Sequence, residues 1–189
     1  MSGLFKPDRR GGASLTLDPT EASILRSLVV QMLELIGPGE DPSESEDPLA
    51  RLFATGPSEP PEDPALARLF PDAYGEGPDA GEQSAEFRRF TENDLRARKR
   101  EDGLALVRSI DRAPAGRRGR VELTLDPEDC RHWLGALNDL RLTLGSRLDV
   151  SDDDTSLYQL PDEDPTKPLT MAYLWLGGLQ ETLLEVLMG

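Results

Sequence analysis

Leu15-Thr16-Leu17-Asp18-Pro19 recurs letter for letter as Leu123-Thr124-Leu125-Asp126-Pro127. In each copy a short alternating apolar run meets Asp-Pro, and a helical pattern follows. Aspartate is a good N-cap because its carboxylate accepts from the free N–H groups of the first turn. Proline fits the first helical position, where no N–H is needed. Glu21 stands at the third helical position behind Asp18, the spacing of a capping box. Glu128 and Asp129 suit the positive end of a helix dipole. Each helix then runs about five turns to a glycine, Gly37 or Gly145, read as its C-terminal stop. Strand–helix units are therefore expected at roughly 14–36 and 120–144, with the two Leu-Thr-Leu runs as strands of one small sheet. The repeat reads either as an internal duplication or as a good strand-to-helix joint used twice.

Two more helices follow from periodicity. Residues 84–113 read as a long helix, with Phe87, Phe90, Ala97, Leu104 and Val107 near one face. Thr91 with Asp94 makes a capping-box-like pair, and Phe90 with Leu95 has the hydrophobic-staple spacing, so a kink or break near Thr91 is expected. Residues 169–187 read as the last helix. Its stripe of Leu169, Tyr173, Leu176, Leu179, Leu183 and Val186 recurs every three or four residues and marks a core face. Gln180, Glu181 and Glu185 interrupt that segment, which favours a core helix over a membrane span. Trp133 and Trp175 are expected in the core.

Between the first two helices, residues 37–82 hold twelve acids, two arginines and many Pro, Gly and Ser residues. That composition marks a loop or insertion. Inside it lie two near-copies, Leu49-Ala50-Arg51-Leu52-Phe53 and Leu66-Ala67-Arg68-Leu69-Phe70. Each is either a short linear motif or a helical turn tucked back on the core. Residues 149–167 form a second acidic loop. Its Asp152-Asp153-Asp154 run lacks the glycine and distant glutamate of a calcium loop and reads as solvated charge.

The chain of 189 residues has 36 acidic and 21 basic side chains, a net charge of −15. Such a charge opposes unaided binding to nucleic acid or anionic membrane. The basic residues are nevertheless concentrated. Residues 88–120 contain eleven of them against five acids, which leaves −21 for the rest of the chain. Arg88, Arg89, Arg96, Arg98, Lys99 and Arg100 are the candidate partner-binding residues. The competing reading is internal neutralisation by the acidic loops.

One cysteine, Cys130, excludes an intramolecular disulfide. This fits a reducing compartment, and residues 1–12 lack the apolar run of a secretory signal, so a cytoplasmic location is expected. Cys130 is the candidate redox thiol. His132 lies two positions further along one helix, about 200° around the axis, so the two cannot form one metal site or one nucleophile–base pair. Neither a metal nor a cofactor is expected.

Several segments together resemble a known family. They are Phe5-Lys6 with Arg9-Arg10-Gly11-Gly12, then Leu69-Phe70-Pro71-Asp72-Ala73-Tyr74. Glu86-Phe87-Arg88-Arg89-Phe90-Thr91-Glu92 with Leu95-Arg96 follows, and then Tyr173-Leu174-Trp175-Leu176 with Leu179-Gln180-Glu181. The chain resembles the actinobacterial domain-of-unknown-function family named for the oxidative stress regulator AosR. The resemblance implies a stress-responsive transcription regulator that engages a sigma factor or RNA polymerase. With one cysteine, redox sensing here would need Cys130 to pair between chains.

The expected fold is mainly α, with about four substantial helices around one core, two short β-strands and long acidic loops. One domain is expected over 1–189. The expected function is regulation by protein–protein contact, not catalysis, with nucleic acid engaged only indirectly, no membrane, and a dimer as one option. The alternatives are an adaptor or scaffold for proteolysis, and an enzyme built on clustered carboxylates.

Overall fold

The computed structural model describes residues 4–9, 11–38, 56–75, 77–114, 116–150 and 160–189. The copy at Leu49-Ala50-Arg51-Leu52-Phe53, the Asp152-Asp153-Asp154 run and much of both acidic loops lie outside the described residues. The elements are β1 (Lys6–Pro7), β2 (Ala13–Leu17), α1 (Pro19–Ile36), α2 (Pro64–Leu69), α3 (Ala80–Arg112), a 3-10 turn (Arg117–Gly119), β3 (Val121–Leu125), α4 (Pro127–Arg147) and α5 (Lys167–Met188). The protein is mainly helical, as its sequence implies, with one small sheet.

That sheet is made by the repeat. The two Leu-Thr-Leu copies pair antiparallel, with Leu15 opposite Leu123, Leu17 opposite Val121 and Ala13 opposite Leu125. Side chains alternate across the sheet, so Ala13, Leu15, Leu17, Leu123 and Leu125 are buried while Thr16, Glu122 and Thr124 face solvent. A third strand, β1, adds to β2 through two residue pairs and is too short to show as a pattern in sequence. Gly12 lets the chain enter this sheet, because a Cβ there would stand 1.9 Å from the Leu125 carbonyl oxygen.

Both joints are capped as their residues dictate. The Asp18 carboxylate accepts from the N–H groups of Thr20 and Glu21, and Glu21 accepts in return from the Asp18 N–H at 2.9 Å. Asp126 accepts from Glu128 and Asp129 at 2.8 Å each. Gly37 ends α1 with φ of 67°. Gly145 does not end α4, which continues to Arg147 and stops before Asp149, at φ 52°. Gly145 instead admits the Tyr173 ring of α5, whose Cε2 lies 3.4 Å from where a Cβ would be.

The core lies between the sheet and the helices. Trp133 of α4 is fully buried, with Phe5 edge-on at 5.7 Å and its indole N–H donating to the Ser109 hydroxyl. Trp175 is only partly buried and packs against the rim of the core. Leu176, Leu179 and Leu183 hold α5 against the core. Helix α2 is the second Leu-Ala-Arg-Leu-Phe copy, tucked back so that Leu69 and Phe70 are buried. Asp63 caps it and is clamped by Arg147 at 2.7 Å, which holds the Asp63 carboxyl below the usual carboxylate range.

Helix α3 departs from expectation at Thr91. It runs unbroken through Thr91, whose hydroxyl donates to the Phe87 carbonyl one turn back instead of starting a new helix. Of the apolar stripe, Phe87, Phe90 and Leu104 are exposed and Val107 packs on the core. The buried face carries Ser84, Arg88, Glu92, Gly103, Leu106 and Ile110. Gly103 permits the crossing with α1, since a Cβ would sit 3.0 Å from a Leu33 methyl.

The tightest joint in the sheet gives the sharpest test. Gly12→Ala should lower unfolding free energy by about 1–3 kcal/mol through overpacking against backbone. Urea denaturation followed by circular dichroism measures it, and an unchanged midpoint would mean that the entry to β2 is looser than described.

Candidate functional site

The candidate site is the basic half of α3, and its inner face comes first. Arg88 is almost wholly buried; it donates to Glu92 at 2.6 Å, to Asp72 at 2.8 Å and to the Phe70 carbonyl at 3.1 Å. Glu92, also buried, accepts from Arg96 at 2.6 Å on its other oxygen. The Arg96 guanidinium lies 4.4 Å over the Phe70 ring and donates to the Ile36 carbonyl. One turn on, Arg100 donates to the carbonyls of Leu33 and Gly37.

This ladder repeats every four residues, so it stays on one face of α3. It solves a problem at the end of α1. The last carbonyls of any helix lack internal partners and carry a partial negative charge. Helix α1 has no basic residue in its last turn. Arg96 and Arg100 supply both the hydrogen-bond donors and the positive charge.

Beyond the ladder, Lys99 pairs with the buried Asp139 of α4 at 2.6 Å. Burial pushes the Asp139 carboxyl above its ordinary range, against the pull of the Lys99 ammonium. Asp102 receives His132 at 2.7 Å. Thus Arg88, Arg96, Lys99 and Arg100 are engaged within the protein. Arg89 and Arg98 are exposed and have no ion-pair partner among the described residues.

The outer face of α3 combines Arg98 with exposed aromatic surface, whereas Arg89, two positions from Phe87, projects about 200° around the axis. Phe90 is 66% exposed, Phe87 48% and Tyr74 47%, and the Tyr74 and Phe87 rings meet edge-to-face at 6.3 Å. Periodicity placed Phe87 and Phe90 near one face. Helical spacing identifies which residues share a face, not which face turns inward. The Arg88, Glu92, Arg96 and Arg100 spacing was the available signal that the opposite face could satisfy itself when buried. Tyr74, in a loop of acidic composition, carried no such signal.

Cys130 faces the other way, beneath the sheet. It is fully buried, 4.0 Å from the Leu125 carbonyl oxygen. Burial pushes its thiol above the ordinary range, with Asp126 and Asp129 adding to the effect and the Ala13 N–H opposing it. Since the thiolate is the reactive form, both access and ionisation are suppressed. Cys130 and His132 point apart, as their spacing requires. Among the described residues no set of three or more His, Cys, Asp or Glu side chains is placed to hold a metal ion, and no helix is long and apolar enough to cross a membrane.

A family described as Domain of unknown function (DUF2017) matches residues 1–187. The Oxidative stress regulator AosR of Mycobacterium tuberculosis (strain ATCC 25618 / H37Rv) is 34% identical over 186 residues, 92% of this chain and 81% of that protein. The Putative oxidative stress regulator AosR of Mycobacterium leprae (strain TN) is 32% identical over 187 residues, 90% of this chain and 80% of that protein. No solved structure gives a significant match.

Two outcomes separate the inner face from the outer. Glu92→Ala leaves two guanidinium groups in the ladder without their shared carboxylate and should cost about 3–5 kcal/mol of stability, whereas exposed Arg89→Ala should stay within about 0.5 kcal/mol of wild type. Equal denaturation midpoints for the two would dismiss the ladder as a structural element. For Cys130, a thiol-specific disulfide reagent should react about a hundredfold more slowly with native than with unfolded protein, because it waits on local opening. Equal rates would show the thiol to be open.

Proposed function

This chain belongs to the DUF2017 family, and from that premise we propose that it is a regulatory protein acting by contact with a protein partner. The contact surface is the outer face of α3 at Phe87, Phe90 and Arg98. The observation that carries this reading is that these residues stay exposed while Arg88, Arg96, Lys99 and Arg100 of the same helix are engaged internally. Aromatic and arginine side chains are the usual energetic anchors of protein interfaces. An exposed guanidinium on the same side, Arg98, selects a partner that offers carboxylates.

Relatives named as oxidative stress regulators support a regulatory role under oxidative stress. The partner class we assign is a sigma factor or RNA polymerase. Two features support direct contact over a thiol switch in this chain: the single cysteine is sealed, and the exposed anchors are already formed.

The chain, tagged in its own host, should retain a sigma factor or RNA polymerase at moderate salt. With the purified partner, Phe90→Ser/Arg98→Glu should lower affinity by roughly tenfold or more without shifting the denaturation midpoint. Reversal at Arg96 or Arg100 would not test this, because those residues hold the end of α1. Unchanged affinity of the outer-face variant would remove α3 as the interface. Retention of protease components in place of the transcription machinery would replace the regulator with an adaptor.

A further inference from the structure

Strand β3 is the open edge of the sheet. The order is β1-β2-β3, and no strand among the described residues pairs with the far side of β3. The direction of its backbone groups follows from the hairpin at the other edge. The Asp8 N–H donates to the Gly12 carbonyl at 2.9 Å, so Gly12 faces β1. Pro7, opposite Ala13, has no N–H, so the bonding pair there is Lys6 with Ser14. Successive strand residues point their N–H and C=O to opposite edges. Ala13, Leu15 and Leu17 therefore face β3, and Leu125, Leu123 and Val121 face back. Glu122 and Thr124 present their N–H and C=O groups outward.

Those groups open into a cleft of about 590 Å³ between β3 and the last turns of α3. Facing β3, Ala105, Ser109, Ala113 and Pro114 are small, with Arg108, Arg112 and His132 completing the lining. The ends of the edge differ in charge. Asp126, Glu128 and Asp129 line the Leu125 end. Arg112, Arg117, Arg118 and Arg120 surround the approach to Val121; all four are exposed and have no ion-pair partner among the described residues. Arg118 holds a left-handed conformation, φ 62°, which L-residues other than Gly adopt at a cost.

We propose that β3 takes an extended segment of a partner protein as a fourth, antiparallel strand. The segment enters with basic residues beside Asp126, Glu128 and Asp129 and leaves with acidic residues beside Arg112, Arg117 and Arg120. Backbone pairing supplies the attachment, and the charge gradient fixes direction and register. This surface is separate from the aromatic stripe of α3, and the inference does not depend on that stripe being an interface.

The probe is a synthetic peptide with a strand-length valine–threonine core, lysines at its N-terminus and glutamates at its C-terminus. Added to isotope-labelled full-length protein, it should shift the Glu122 and Thr124 amides and slow their hydrogen exchange by about tenfold. N-methylation on the pairing edge of the peptide should abolish both effects. Arg117→Ser/Arg120→Ser should weaken the probe severalfold with the fold intact. The proposal is overturned if the N-methylated peptide binds as well, if shifts appear away from β3, or if no shift occurs at millimolar peptide. A DNA duplex that shifts the arginine turn while the peptide does nothing would also overturn it, as would self-association through β3.

Discussion

The antiparallel pairing of β2 with β3 fixes where the helices go. Both strands bury the same alternate positions, Ala13, Leu15 and Leu17 against Leu123 and Leu125, so the helices that follow them fall on one face of the sheet. A slip of one residue would turn Thr16 and Glu122 inward and every leucine outward. Because the strands are antiparallel, α1 leaves from one end of the sheet and α4 from the other. Asp18 and Asp126 fix the exit of each helix within its first turn. Trp133 fills the space this creates, and α3 and α5 close over it.

Helix α3 has little apolar surface to offer such a core in its first half, and it docks by electrostatic complementarity instead. Burying an isolated ion costs several kcal/mol, and a pair recovers this only when the remaining donors and acceptors are met. The ladder comes close to that condition. Both Glu92 oxygens are used, and the three arginines reach carbonyls of Phe70, Ile36, Leu33 and Gly37. Charge-assisted bonds to helix-end carbonyls serve both partners, since α1 ends without a cation of its own. The basic stripe is therefore split by geometry. One side is structural, and the other keeps Arg98 for solvent or a partner.

Legibility followed from locality. The repeat was readable because a cap, a proline and an alternating run are decided within a few residues, and both units stand where the sequence places them. The last helix was readable because its stripe is apolar and its other face is not. Helix α3 was harder, because each of its faces has a reason to be buried. Choosing between them depends on carbonyls of α1 and on Phe70, which are distant in sequence and visible only after packing. The same distance hid the fate of Gly145, which reads as a stop until Tyr173 is placed against it. Strand β1 has two residues, too few for any period to register.

The relatives' names raise the question of how an oxidant signal could act through this chain. Cys130 begins α4 directly behind the Asp126 cap and lies under Ala13 and Leu125, at the joint between the two strands. The sulfur is fully buried at that joint, so an oxidant reaches it through local opening there. Modification there is thus coupled to loss of the fold's central constraint, and is a poor reversible switch. The exposed face of α3 has no such coupling. Its aromatic and arginine side chains can gain or lose a partner while the ladder behind them keeps the helix in place. In this chain the inner face of one helix carries stability, and its outer face stays free of that duty.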